Sequence, residues 1–186
     1  MPLPIGHALA GIAWQRARPG FFFDRTWPDA LFFVFLANLP DADFLPGLIL
    51  GRPNFYHHGI FHSLGAALAI AAIGGGLFYL HKKRFWATAA GIFLVFYSHL
   101  LLDYFALDFS APFGLPLFWP FSGRYFIAAK PIFINITRSE QSHDFFASLF
   151  SSHNLAAALR EIVLLGGLAL LMVLLRRRLE KKHSPK

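Results

Sequence analysis

Apolar residues run through the chain in long blocks, separated by short polar stretches rich in proline and glycine. Three blocks are long enough to cross a bilayer, which takes about 20 consecutive apolar residues. They cover residues 60–80, 85–107 and 155–175. The first is rich in Ala and Gly ("GAALAIAAIGGG"), as suits close helix packing in a membrane. The last is Leu-rich and ends at three arginines. Two shorter apolar segments precede them, residues 3–15 and 27–39. Each must tilt, be buried by neighbours or be extended by its flanks to span. The pattern predicts an all-α, polytopic helical membrane protein with three long spans plus two shorter N-terminal helices. It forms a single integral membrane domain over residues 1–186.

Composition agrees with the pattern. The chain is 56% hydrophobic and 15% charged, against about 25% charged residues in soluble domains. Phenylalanine occurs 23 times, which suits lipid-facing and interhelical packing. There is no cysteine, so disulfides and thiolate metal sites are excluded. Any metal must be held by His, Asp, Glu or backbone oxygen. The N-terminal "MPLPIGHALAG" lacks a charged region ahead of its apolar stretch, so no cleavable signal peptide is expected.

The net charge of +7 raises nucleic-acid binding as a function. The basic residues, however, gather as "HKKR" (81–84) and "RRRLEKK" (176–182), each beside an apolar run. That is the pattern of charges that set membrane orientation, and no nucleic-acid partner is expected. Positive loops stay in the cytoplasm, so both clusters are expected inside. Segment 108–154 then lies outside and the tail 176–186 inside. Working backwards, residue 60 is outside and the linker "RARPGFFFDR" (16–25) inside. The N-terminal helix starts outside. A bacterial or archaeal cytoplasmic (inner) membrane is the expected location.

The ionisable residues fall on this map in one place. His7 opens the N-terminal helix. Asp41 and Asp43 follow the second helix. His57, His58 and His62 stand before the long run that follows, and His99 and Asp103 lie near the end of the next. Four separate segments thus bring His and Asp to the extracytoplasmic face, although lysine and arginine alone set the orientation. His99 and Asp103 are four apart and share a helix face, as do His58 and His62 if that stretch is helical. Imidazole nitrogen mixed with carboxylate oxygen suits zinc, with manganese or iron as alternatives.

Each group also has a plainer role. His99 and Asp103 could be an interhelical hydrogen-bonded pair. Asp41 and Asp43 could be turn formers between prolines. The three histidines could be a polar cap at the interface. One shared metal site accounts for all of them together, and intramembrane ionisable groups are functional by default. His81 and His183 belong to the basic clusters and read as solvated. His143 and His153 lie on the outer side, with Asp144 and Glu161 as possible partners for a second ion. Arg124, in "PFSGR", is the candidate anion clamp, because guanidinium matches phosphate bidentately. Its plainer role is an interfacial anchor.

At these residues the chain resembles the YdjM family of inner-membrane metal-dependent hydrolases, also described as LexA-binding membrane proteins. The stretches that carry the likeness are "GHALAG" (6–11), "LPDADFLPG" (39–47), "HHGIFHSL" (57–64) and "SHLLLDYF" (98–105). "LFWPFSGRYF" (117–126) resembles the family's aromatic segment. The family's histidine motif usually reads His-Arg-Gly-x-x-His-Ser. On that pattern His57 and His62 take the motif histidines, and His58 replaces an arginine. A more distant likeness is to zinc-dependent phospholipase C and single-strand nucleases, whose ligands come in the order His, Asp, His, then His-x-x-x-Asp. The matching residues here are His7, Asp41 or Asp43, His57 or His62, then His99 and Asp103. The resemblance implies one or two divalent metals.

Together these features lead us to expect a membrane-embedded, metal-dependent hydrolase of an ester or phosphoester, with a membrane lipid or lipid-linked substrate. Its metal ligands are expected among His7, Asp41, Asp43, His57, His62, His99 and Asp103. Whichever of Asp41 and Asp43 is not a ligand is expected to accept the water proton or to orient a histidine, and Arg124 to bind the anion. The alternative is a non-catalytic, metal-stabilised scaffold or regulatory protein. A transporter is disfavoured, because its ligands would sit near the bilayer midplane on broken helices.

Overall fold

The computed structural model describes residues 1–81, 83–109 and 113–183. Lys82 of the first basic cluster, residues 110–112 of the segment expected outside, and 184–186 of the tail lie outside the described residues. The chain is helical: α1 (Pro4–Ala17), α2 (Thr26–Asn38), α3 (Phe44–Ile49), α4 (Leu64–Leu80), α5 (Phe85–Tyr104), α6 (Phe145–Ser148) and α7 (Ser152–His183). Single 3-10 turns cover Leu39–Asp43 and Ile60–His62. Among the described residues there are only isolated bridges, Ala106 to Phe133 and Leu115 to Phe126, and no strand.

Three helical stretches are long and apolar enough to cross a membrane, Thr26–Ile49, Phe85–Tyr104 and Ser152–Lys181. The number is as expected, but the membership differs. Pro40 falls at the start of a 3-10 turn, where its missing N–H has no helical partner to lose. The α2 direction therefore carries through to α3 instead of stopping at residue 39. The stretch expected as a span at 60–80 divides instead. Ser63 adopts an extended backbone (φ −136°, ψ 160°), and its hydroxyl accepts from the Ala66 N–H at 3.2 Å. This N-cap starts α4 at Leu64 and leaves it 17 residues long.

The helices pack α1 against α2 and α7, α2 against α5, and α4 against α5. One apolar cluster contains Phe22, Phe33, Leu36, Ile92 and Val95, and a second Ala67, Phe96, Leu100, Leu115 and Leu117. Glycine permits the closest approach. A Cβ on Gly11 would stand 2.7 Å from the Phe33 carbonyl oxygen, so α1 and α2 meet backbone to backbone. Only 11% of the best apolar window of α7 is buried, against 39% in each of the other two candidate spans. Most of α7 thus presents its leucines outward.

The two ends of the bundle differ. At one end, Asp29 is fully buried near the start of α2, and its carboxylate accepts the N–H groups of Gly20, Phe22 and Phe23 at 2.8–3.1 Å. It folds the arginine-bearing α1–α2 linker over Phe22. Lys83, between α4 and α5, reaches Asp24 of that linker at 3.7 Å. The opposite end gathers the start of α1, the turn after α2, the start of α4 and the end of α5.

Candidate metal centre

The stretch "HHGIFHSLG" is a run of tight turns. The N–H of His57 donates to the Asn54 carbonyl, that of Gly59 to Tyr56, and that of His62 to Gly59. His58 adopts a left-handed backbone, φ 59°, which is strained for a residue with a Cβ. The folded turns bring the rings of His57, His58 and His62 within 4.1–5.1 Å of one another, centroid to centroid.

Four side chains from three elements converge at the centre: Asp41, His62, and His99 with Asp103 from α5. His99 Nε2 lies 3.1 Å from Asp103 Oδ2, 3.2 Å from His62 Nε2 and 3.5 Å from Asp41 Oδ1. His62 Nε2 lies 3.3 Å from Asp103 Oδ2 and 3.7 Å from Asp41 Oδ1. A zinc ion about 2.0–2.1 Å from four donors needs donors about 3.3–3.4 Å apart by tetrahedral geometry. These five edges bracket that value.

The protons point the same way. His99 Nδ1 donates to the Ala37 carbonyl at 2.7 Å, so its Nε2 offers a lone pair to the centre. Both oxygens of Asp41 and of Asp103 are buried without a hydrogen-bond partner among the described residues. Lone pairs and carboxylates that converge in a buried space repel one another unless a proton or a metal cation lies between them. A divalent metal fits the donors present.

Around this core the remaining residues divide by role. Asp43 bridges two histidines, with Oδ1 3.0 Å from His57 Nδ1 and Oδ2 2.9 Å from His62 Nδ1. This is how a carboxylate orients an imidazole that ligates through its other nitrogen. His57 is clamped under Phe44, rings 3.9 Å apart. Asp41, Asp43 and His57 make a second group with metal-ligand spacing, and His57, His58 and His62 a third. His7 stacks on His99 with centroids 3.6 Å apart, and its Nε2 lies 3.4 Å from Asp103 Oδ1. His58 faces Asp103 Oδ2 at 3.9 Å and Asp108 Oδ2 at 3.5 Å. Burial pushes His57 and His58 below the ordinary histidine range, which keeps their lone pairs available. Burial opposes charge on His62 too, but Asp103, Asp41 and Asp43 together outweigh it and raise its pKa.

All seven expected ligands, His7, Asp41, Asp43, His57, His62, His99 and Asp103, therefore meet at one end of the bundle. His58 joins them. Arg124 does not: its side chain is exposed, on the segment after Phe121. His143 pairs with Asp144 at 3.0 Å on the surface, and His153 Nε2 bonds the Asn135 carbonyl. Glu161 is buried against α1 and accepts the Leu3 N–H at 2.9 Å. Two neighbours of the cluster escaped sequence analysis. Asp108 sits five residues past Asp103, and the acidic spacing of that stretch was a signal for it. Arg138 approaches from more than 30 residues further along the chain, with no local motif to mark it.

No curated protein and no solved structure matches the chain. The family comparison does find a match, and it covers nearly all of the sequence, every residue of the cluster included. The chain belongs to the family described as YdjM inner membrane protein, which it matches over residues 1–181.

Proposed function

We propose that this protein is a membrane-embedded, metal-dependent hydrolase acting on an ester or phosphoester of a lipid or lipid-linked substrate. The observation that carries the proposal is a buried His/Asp centre flanked by two cavities. One, of about 210 Å³, is lined by His58 and Asp108, and the other, of about 240 Å³, by Asp41. A bound divalent ion, zinc first, would lower the pKa of a water toward about 7 and polarise the substrate oxygen. Asp41, His62, His99 and Asp103 would hold it. Asp43 fixes the His62 and His57 rings, and the Ala37 carbonyl fixes His99. Asp41 also edges the apolar cavity, so the centre and that cavity share a wall.

The centre lies at the end of the bundle opposite the basic linkers. By the positive-inside rule that end faces out of the cytoplasm, where lipid headgroups and lipid-linked precursors are met. Reporter fusions after Arg84 and after Phe121 test this. The first should report cytoplasm and the second the exterior, and a cytoplasmic Phe121 would overturn the orientation.

One observation favours a second reading. Four protein donors complete a tetrahedron, and structural zinc sites are closed in that way, whereas catalytic ones keep an open position. The protein would then be a metal-stabilised scaffold or regulatory partner. Metal analysis of detergent-purified protein, followed by ester and phosphoester assays, separates the two. Metal with turnover that His62→Ala and Asp103→Ala abolish supports the hydrolase. Stoichiometric metal without turnover on any substrate supports the scaffold, and absence of bound metal rejects both.

A further inference from the structure

Arg138 is half-buried beside the histidine cluster and is held by neutral groups. Its Nε donates to Asn54 Oδ1 at 2.7 Å, Nη1 lies 2.8 Å from the Met1 sulfur, and the guanidinium sits 5.2 Å from the Phe44 ring centroid. Among the described residues, no carboxylate comes within ion-pair distance (4.0 Å) of it. Its backbone is fixed as well. Asn154, fully buried at the start of α7, bonds the N–H and the carbonyl of Thr137 at 2.9 and 2.7 Å. The Ser139 N–H donates to Ser148 Oγ, and Asn54 Nδ2 to the Ser139 carbonyl. A guanidinium held this firmly has little conformational freedom left to lose on binding.

Its position is at a junction. The 210 Å³ cavity is polar, with Asn54, His58, Asn135 and Thr137 in its wall together with the carboxylates of Asp108 and Glu140. The 240 Å³ cavity is apolar, with Leu45, Leu48 and Phe146 in its wall. Met1, Ile136 and Arg138 line both. A cation between a polar cup and an apolar slot complements an amphiphile with an anionic head.

We propose that Arg138 is the anion-binding residue of this site, holding the phosphate of a phosphate-bearing amphiphile whose hydrocarbon chain enters the apolar cavity. This rests on the hydrolase reading for its choice of phosphoester. Guanidinium presents a planar fork that meets two phosphate oxygens at once, which a lysine ammonium does not.

Binding, not turnover, tests the proposal. Metal-loaded full-length protein in detergent is titrated with inorganic phosphate, with dioleoyl phosphatidic acid and with uncharged dioleoylglycerol. Wild type, Arg138→Gln, Arg138→Lys and Leu45→Trp are compared, with metal content measured for each. Arg138→Gln should weaken both phosphate probes at least tenfold, and Arg138→Lys at least threefold, with metal content and dioleoylglycerol binding unchanged. Leu45→Trp should weaken phosphatidic acid but leave inorganic phosphate within twofold. Unchanged phosphate affinity in either Arg138 variant with metal retained overturns the proposal, as does a wild type that binds neither phosphate probe. Arg138-dependent binding of inorganic phosphate, with phosphatidic acid no tighter, overturns the amphiphile and leaves free phosphate as the ligand. Arg138-dependent binding without hydrolysis of any phosphoester leaves the anchor standing and removes the hydrolase.

Discussion

His62 and His99 meet nitrogen to nitrogen, their Nε2 atoms 3.2 Å apart in a space from which solvent is excluded. His99 has committed its only neutral-state proton to the Ala37 carbonyl. Two carboxylates press on the same space from Asp41 and Asp103. A cation at the centre turns this repulsive arrangement into a bonded one. Metal removal should therefore destabilise the fold. At free metal about 100 times the dissociation constant, binding contributes about 2.7 kcal/mol. For a chain of this size that is about 5–10 °C in Tm. Chelation should lower the melting temperature by that amount in a detergent thermal-shift assay, and added zinc should restore it. A melting temperature indifferent to chelator would mean that no ion joins these groups.

Asp103 and Asp43 should behave differently when neutralised. Asp103 offers Oδ2 to the centre, whereas Asp43 touches the Nδ1 side of His62 and His57. Asp103→Asn removes a donor and should abolish stoichiometric metal. Asp43→Asn keeps every donor and loosens two rings, which typically weakens metal affinity about 10–100-fold. Competition with a chromophoric chelator reads both. Equal losses would place Asp43 among the direct ligands.

Asp29 is the control among buried carboxylates. It lies at the other end of the bundle and accepts three backbone N–H groups. Asp29→Ala leaves those donors without an acceptor, and hydrogen bonds to a charged group are each worth about 1.5–3 kcal/mol. The variant should lose at least about 3 kcal/mol of stability, read as a lowered Tm, while its metal content stays at the wild-type value. Loss of metal at unchanged Tm would contradict the role assigned to Asp29.

The convergence of His and Asp was legible because it needs only helix order and sidedness. Alternating helices put the start of α1, the end of α2, the start of α4 and the end of α5 at the same end. Local geometry was less legible. Spacing of four pairs His58 with His62 only on a helix, and the backbone there is a left-handed residue, a 3-10 turn and an extended Ser63. His62 reaches the centre, His57 stands beside Asp43, and His58 turns toward Asp108. Arg138 was invisible for a different reason. Its place is set by Asn54 and Asn154, far away along the chain, and long-range hydrogen bonds leave no periodic trace. Arg124 had a more suggestive local setting and lies exposed.

The packing that assembles the four segments can be tested through two glycines with opposite expectations. A methyl group on Gly11 would stand 2.7 Å from the Phe33 carbonyl oxygen and 3.0 Å from the Val34 Cα. Those are backbone atoms of α2, which a rotamer change cannot move aside. Gly11→Ala should therefore separate α1 from α2 and destabilise by about 1–3 kcal/mol. Because α1 carries His7 and α2 leads into Asp41, metal affinity should fall with it. Gly76, on α4, has no atom within 4 Å of the equivalent position. There the Ala side chain meets open space, and helix propensity alone favours the change by about 0.5–1 kcal/mol. Gly76→Ala should raise the melting temperature slightly and leave metal binding untouched. Thermal shift and metal titration on both variants check the pair, and a tolerated Gly11→Ala would mean that α1 and α2 do not pack this closely in the membrane.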